Sequence, residues 1–152
     1  MTDDPDHSRP GTPAVLVSNR QTVPVDEGGL AALARDTLAA EGVGAAELSL
    51  SFVDEHEIEA LHVRYMDEPG PTDVLSFPLD ADDRDEAGAR MLGDVVIAPT
   101  VAARNNPDDP QAELRLLVVH GVLHLLGYDH ETDDERAEMW ARQERYSGVK
   151  VA

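Results

Sequence analysis

The chain has 152 residues, enough for one ordinary domain with a buried core, and 41% of them are hydrophobic. Its formal net charge of -19, from 31 acidic against 12 basic residues, repels phosphate polyanions and argues against a free-standing nucleic-acid binder. With no cysteine, disulfides are excluded and any metal site must use histidine or carboxylate ligands.

Residues 1–13 are polar and carry three prolines and a glycine, which reads as a disordered tail, with one domain expected over 14–152. The run from Ala14 to Val17 opens that domain as a short strand. From Glu27 to Glu41, Leu30, Leu33, Ala34 and Leu38 recur at helical spacing, and Gly42 supplies a stop. Leu48, Leu50 and Phe52 alternate with Ser49, Ser51 and Val53 as in a half-buried strand. Asp54 followed by Glu57 resembles a capping box and starts a helix with Ile58, Leu61 and Tyr65, which must end before the PGP run at 69–71.

Asp73 to Leu79 and Met91 to Ala98 read as two strands separated by a solvated acidic loop, DADDRDEAGAR. No helix separates them, so antiparallel pairing is expected somewhere in the sheet. Asp109 and Pro110 suit an N-cap and first helical position for a helix running to Leu126. Its second half is apolar on nearly every side, which places it in the middle of the fold. Thr132 with Glu135 forms a second capping box and opens a polar helix to Tyr146. The fold expected is α+β: a single domain in which helices cover a small mixed sheet, one of them a buried central helix.

That central helix carries two histidines, and histidines there are costly unless paired or ligated. His120, His124 and His130 fall in the run HGVLHLLGYDH. Positions four apart share a helix face about 6 Å apart along the axis, so His120 and His124 can reach one ion. Gly127, in a left-handed conformation, would end the helix and let the chain return His130 to the same ion. Three neutral imidazoles with an open fourth position are the usual donor set of a catalytic zinc, so one Zn²⁺ is expected.

The spacing matches the metzincin pattern H-E-x-x-H-x-x-G-x-x-H, except that Gly121 replaces the glutamate acting as general base. Asp129, beside His130, is the nearest carboxylate and reads more readily as a turn residue or an orienter of a ligand imidazole than as a catalytic group. The general base and the other catalytic and substrate-binding residues are unassigned by these patterns.

HGVLHLLGYDH, with PTDVLSFP at 71–78 and LGDVVIAP at 92–99, resembles the YbeY family of bacterial rRNA-maturation endoribonucleases, with the three blocks in family order. The resemblance covers the chain from about residue 45 to 146. It implies a zinc-dependent, single-strand endoribonuclease that works with the ribosome, matures the 16S rRNA 3′ end and takes part in ribosome quality control. It also implies His120, His124 and His130 as zinc ligands, and rRNA and the ribosome or ribosomal proteins as partners. Many members carry an arginine and, two places on, a lysine before PTDVLSFP; Met66 and Glu68 hold those positions here. Arg64 lies two residues before Met66 and on a helix projects about 200° away from it, so it reads as a solvent-facing residue.

Two other functions share the cluster. One is a metalloprotease-like zinc hydrolase, which Gly121 opposes. The other is a non-catalytic ribosome assembly factor with a structural zinc, whose acidic surface docks basic ribosomal proteins. The longest near-apolar stretch, Leu116 to Leu126, is too short to span a bilayer at about 20 residues, and the N-terminus lacks a basic-then-apolar signal, so no membrane partner and a cytoplasmic location are expected.

Overall fold

The computed structural model describes residues 12–66, 72–80 and 82–150, with the side chain of Met66 outside that description. Expectations placed on residues 1–11, on Glu68 and on the PGP run therefore lie outside the described residues, as does that for the Met66 side chain. The elements are β1 (Pro13–Asn19), α1 (Glu27–Ala40), β2 (Ala46–Phe52), α2 (Glu55–Met66), β3 (Val74–Pro78), β4 (Arg90–Ile97), α3 (Pro99–Asn105), α4 (Pro110–Leu125) and α5 (Asp133–Ser147). β1 takes in Pro13, one residue before the expected domain start.

The sheet has the order β1-β2-β4-β3. β1 and β2 are parallel, β2 and β4 are parallel, and the edge strand β3 runs antiparallel to β4. The α+β fold with a mixed sheet is thus observed. The expected antiparallel pair is β3 with β4.

Strand alternation assigns the two faces. Leu48, Leu50, Phe52, Val95 and Ile97 point to one side, where Leu30, Ala34 and Leu38 of α1 and Leu114, Leu117, Val118 and Val122 of α4 close the main core. Leu75, Val96 and Phe77 point to the other side, where Ile58 and Leu61 of α2 and Val101 of α3 cover them. Met139 of α5 packs on Val119 and Leu123, a third side of α4. α4 is therefore covered by sheet and helices alike, as its apolar circumference requires.

Helix ends follow their local signals. Asp109 Oδ1 accepts from the Ala112 N–H at 3.1 Å with Pro110 in the first turn, and Asp54 Oδ1 accepts from the Glu57 N–H at 2.8 Å. Thr132 and Glu135 complete a reciprocal capping box at the start of α5. α3 was not expected: with seven residues it is too short to show a helical period, and its one cue is Pro99 in the first turn.

Candidate metal centre

α4 presents His120 and His124 one turn apart, their ring centroids 4.6 Å from each other. The helix then stops at Gly127, whose φ of 100° is in the region glycine adopts without steric cost. The Gly127 N–H donates to the His124 carbonyl at 3.0 Å and the Tyr128 N–H to the Leu123 carbonyl at 3.1 Å, the paired bonds of a Schellman stop. Past this reversal, Asp129 Oδ1 accepts from the His130 N–H at 2.8 Å. The His130 ring comes to 5.2 Å from that of His124 and 5.8 Å from that of His120. One ring nitrogen from each histidine lies within 4.8 Å of the other two.

Gln143 of α5, which sequence patterns did not single out, sets the state of the first ring. Its Oε1 is 2.7 Å from His120 Nδ1, and an amide oxygen can only accept. Nδ1 therefore carries the proton and Nε2 keeps its electron pair, the arrangement that partner groups impose on metal-binding histidines. Met139, Gln143 and Ser147 form the buried stripe of α5 at four-residue spacing. A glutamine in that stripe was the available signal.

Burial pushes the pKa of His120 below the usual imidazole value, and the neighbouring His124 and His130 add to this against the opposing effects of Gln143 and Asp73. Burial also lowers His124, with His130 adding to it and Asp129 opposing. Both are held neutral at pH 7, the form that donates to a metal. Trp140 meets His130 and His120 edge-on at 5.5 and 6.1 Å and walls one side of the cluster. Three imidazole nitrogens this close fit one ion with bonds of about 2.0–2.1 Å after small ring movements.

The cluster opens on a cleft of about 490 Å³ lined also by His62, Thr72, Val74, Leu75, Ser76 and Pro78. Ser76 Oγ donates to the Gly121 carbonyl at 3.3 Å and ties β3 to the histidine helix. Gly121 faces the sheet: a Cβ there would lie 2.5 Å from Val95 Cγ1 and 3.3 Å from Ser76 Oγ. The position is a close-packing contact between α4 and β4, with no room for a glutamate. Arg64 does not line the cleft; it is exposed, its guanidinium 5.3 Å from the Tyr65 ring centroid.

A second polar network holds the loop that carries His130. Glu41, just past α1, accepts from Tyr128 Oη at 2.6 Å and from Tyr146 Oη, and pairs with Arg142 at 2.7 Å. Burial opposes its charge, but the bonds from Tyr128 and Tyr146 and the charge of Arg142 outweigh that and hold the carboxyl below its ordinary range. The same bond pushes Tyr128 up to about 12.

A depressed carboxyl pKa contributes stability that is complete above the unfolded value, about 4.3, and lost as pH falls through the folded one. Glu41→Gln is therefore expected to cost about 1–3 kcal/mol at pH 7, with a deficit that narrows below about pH 4. Urea unfolding at the two pH values checks this; a deficit independent of pH contradicts it.

Comparison with known proteins shows the family of the chain. The family model described as endoribonuclease YbeY matches residues 16–148. The chain is 52% identical over 139 residues to endoribonuclease YbeY of Thermobifida fusca, covering 86% of this chain and 89% of that one. It is 46% identical over 141 residues to endoribonuclease YbeY of Streptomyces coelicolor, covering 86% of each. The solution structure of TM1509 from Thermotoga maritima superposes with a TM-score of 0.58 at 28% identity, over 88% of this chain and 86% of that one. With the family model matching nearly the whole described chain, this protein belongs to the endoribonuclease YbeY family.

Proposed function

We propose that this chain is a zinc-dependent, single-strand endoribonuclease that works with the ribosome in 16S rRNA 3′-end maturation and ribosome quality control. The observation that carries the reading is the set of three imidazole nitrogens within 4.8 Å of one another at the edge of an open cleft. The relatives' names supply RNA as the substrate class. An all-imidazole donor set favours zinc among the metals that take nitrogen ligands in open catalytic sites, and His120, His124 and His130 would hold one ion. When bound, zinc supplies Lewis-acid stabilisation of charge on a phosphoryl oxygen and acidifies water.

The protein's own groups prepare that position. Gln143 fixes the tautomer of His120, the Gly127 reversal and Asp129 bring in His130, and Trp140 limits access on one side. β3 and Thr72, two residues before it, form another wall, with Thr72 contributing a hydroxyl able to donate to a phosphate oxygen. The net charge of -19 gives RNA little general attraction, which favours action on RNA presented by the ribosome, where the acidic surface meets basic ribosomal proteins. No helix among the described residues is long and apolar enough to cross a membrane, in keeping with a cytoplasmic role. A protease is less well served, because Gly121 leaves no space for that family's base.

Chelation tests the reading. Stripping the metal is expected to abolish cleavage of single-stranded RNA, and one equivalent of zinc to restore it with precursor 16S rRNA in small-subunit particles as a substrate. Cleavage that persists after metal analysis shows the protein to be empty overturns the zinc requirement. A zinc-loaded protein that leaves single-stranded RNA intact but digests casein overturns the nuclease.

A further inference from the structure

We propose that His62 is the proton acceptor of the RNA-cleaving step, an inference that rests on the nuclease reading above. The histidine motif itself lacks a base: Gly121 packs against Val95, and Asp129 Oδ1 is engaged by the His130 N–H. The cleft supplies one from another element. Among the described residues that line it, Thr72, Val74, Leu75, Ser76 and Pro78 have no group that titrates near neutrality, and the three clustered imidazoles are committed as donors. His62, half-buried on α2, is the remaining titratable side chain.

Its helix is packed on the sheet. Ile58 and Leu61 of the same helix are packed against Leu75, Val96 and Phe77, and Tyr65 meets the Phe77 ring edge-on at 5.4 Å. Those contacts seat α2 on β3, the strand that forms the cleft wall. His62 lies about one turn before the C-terminal end of α2. Among the described residues, the other charged and titratable groups around the cleft are the three histidines of α4 and its following loop, Asp129 beside His130, whose negative charge reaches His124, and Asp73 before β3, whose negative charge reaches His120. Arg64, on the same helix, turns over Tyr65 instead.

The step balances without a further reactant. The imidazole of His62 takes the proton of the attacking hydroxyl, from water or from the RNA 2′ position, as its oxygen bonds to phosphorus. The bond from phosphorus to the leaving ester oxygen breaks, and that oxygen takes a proton from solvent. The imidazolium then returns its proton to water.

The test compares wild type, His62→Ala and His62→Gln by single-strand RNA cleavage, zinc stoichiometry and thermal melting. Both variants are expected to cleave at least about 100-fold more slowly while holding one zinc and melting like wild type. Free imidazole should recover part of the His62→Ala rate without stimulating wild type. A His62→Gln rate within about threefold of wild type overturns the proposal, because a hydrogen bond then suffices where a proton transfer was assigned. Loss of zinc in step with loss of rate also overturns it, since His62 would then be supporting the metal. A wild-type protein that does not cleave RNA refutes the underlying nuclease reading, an outcome visible before any variant is compared.

Discussion

His124→Ala is expected to abolish zinc retention and RNA cleavage together while leaving the protein folded. Of the three imidazoles, His124 lies nearest to both others, at 4.6 and 5.2 Å between ring centroids against 5.8 Å between His120 and His130, so removing it leaves the two most separated donors. His130 is on a loop beyond the helix, and two nitrogens do not complete a catalytic zinc site. Alanine is the best helix former, and the half-buried imidazole it replaces packs at the edge of the cleft, so the apo-protein should melt within a few degrees of wild type.

Acid adds a second readout. The His124 pKa is lowered in the fold, chiefly by burial, so the unfolded chain binds its proton first and apo wild-type protein loses stability as pH falls below about 6.5. His124→Ala removes part of that loss. Metal analysis, RNA cleavage and urea unfolding of the apo-protein at pH 7 and pH 5.5 follow all three effects. A variant that keeps zinc and cleaves at the wild-type rate would remove His124 from the ligand set.

The histidine cluster was legible because its parts are local: i, i+4 spacing places two rings on one helix face, and a single glycine sets the reversal that returns the third. Gln143 and Glu41 were not legible in the same way. Their partners lie 23 residues away for His120 and 87 and 105 residues away for Tyr128 and Tyr146, separations that no periodicity reports. His62 belongs to the same class, since only the seating of α2 on β3 brings it to the cleft. Gly121 was legible as a departure from a protease motif, but its reason was not: the close approach of α4 to Val95 is a tertiary fact.

The strands and long helices also followed from local pattern, because caps such as Asp109 and Thr132 and the alternation in β2 are written within a few residues. The parallel pairing of β1, β2 and β4 was not read from them. Strand identity is a local property and strand order is not: β2 lies beside β4 although α2 and β3 intervene in the chain.

Gly93→Ala is expected to cost about 3–5 kcal/mol, a large share of the total stability of about 5–15 kcal/mol typical of a domain. Two independent penalties meet there. Gly93 has φ 131°, a conformation side chains rarely adopt, and a Cβ would fall 2.1 Å from the Phe77 carbonyl oxygen and 3.0 Å from Pro78 Cα. Those obstacles are backbone atoms of the paired strand β3, so relief requires moving the strand itself. The site also marks an irregularity: Glu47 pairs with Met91 and Leu48 with Gly93, leaving Leu92 as the extra residue of a bulge. Because β3 supplies Val74, Ser76 and Pro78 to the cleft, displacement of that strand should also reduce cleavage in whatever fraction remains folded. Gly88→Ala separates the two penalties, since Gly88 has φ 89° but open space around it, and should cost only about 1 kcal/mol. Urea midpoints of the two variants decide the matter: equal losses would mean that the approach of β3 to Gly93 does not constrain the fold.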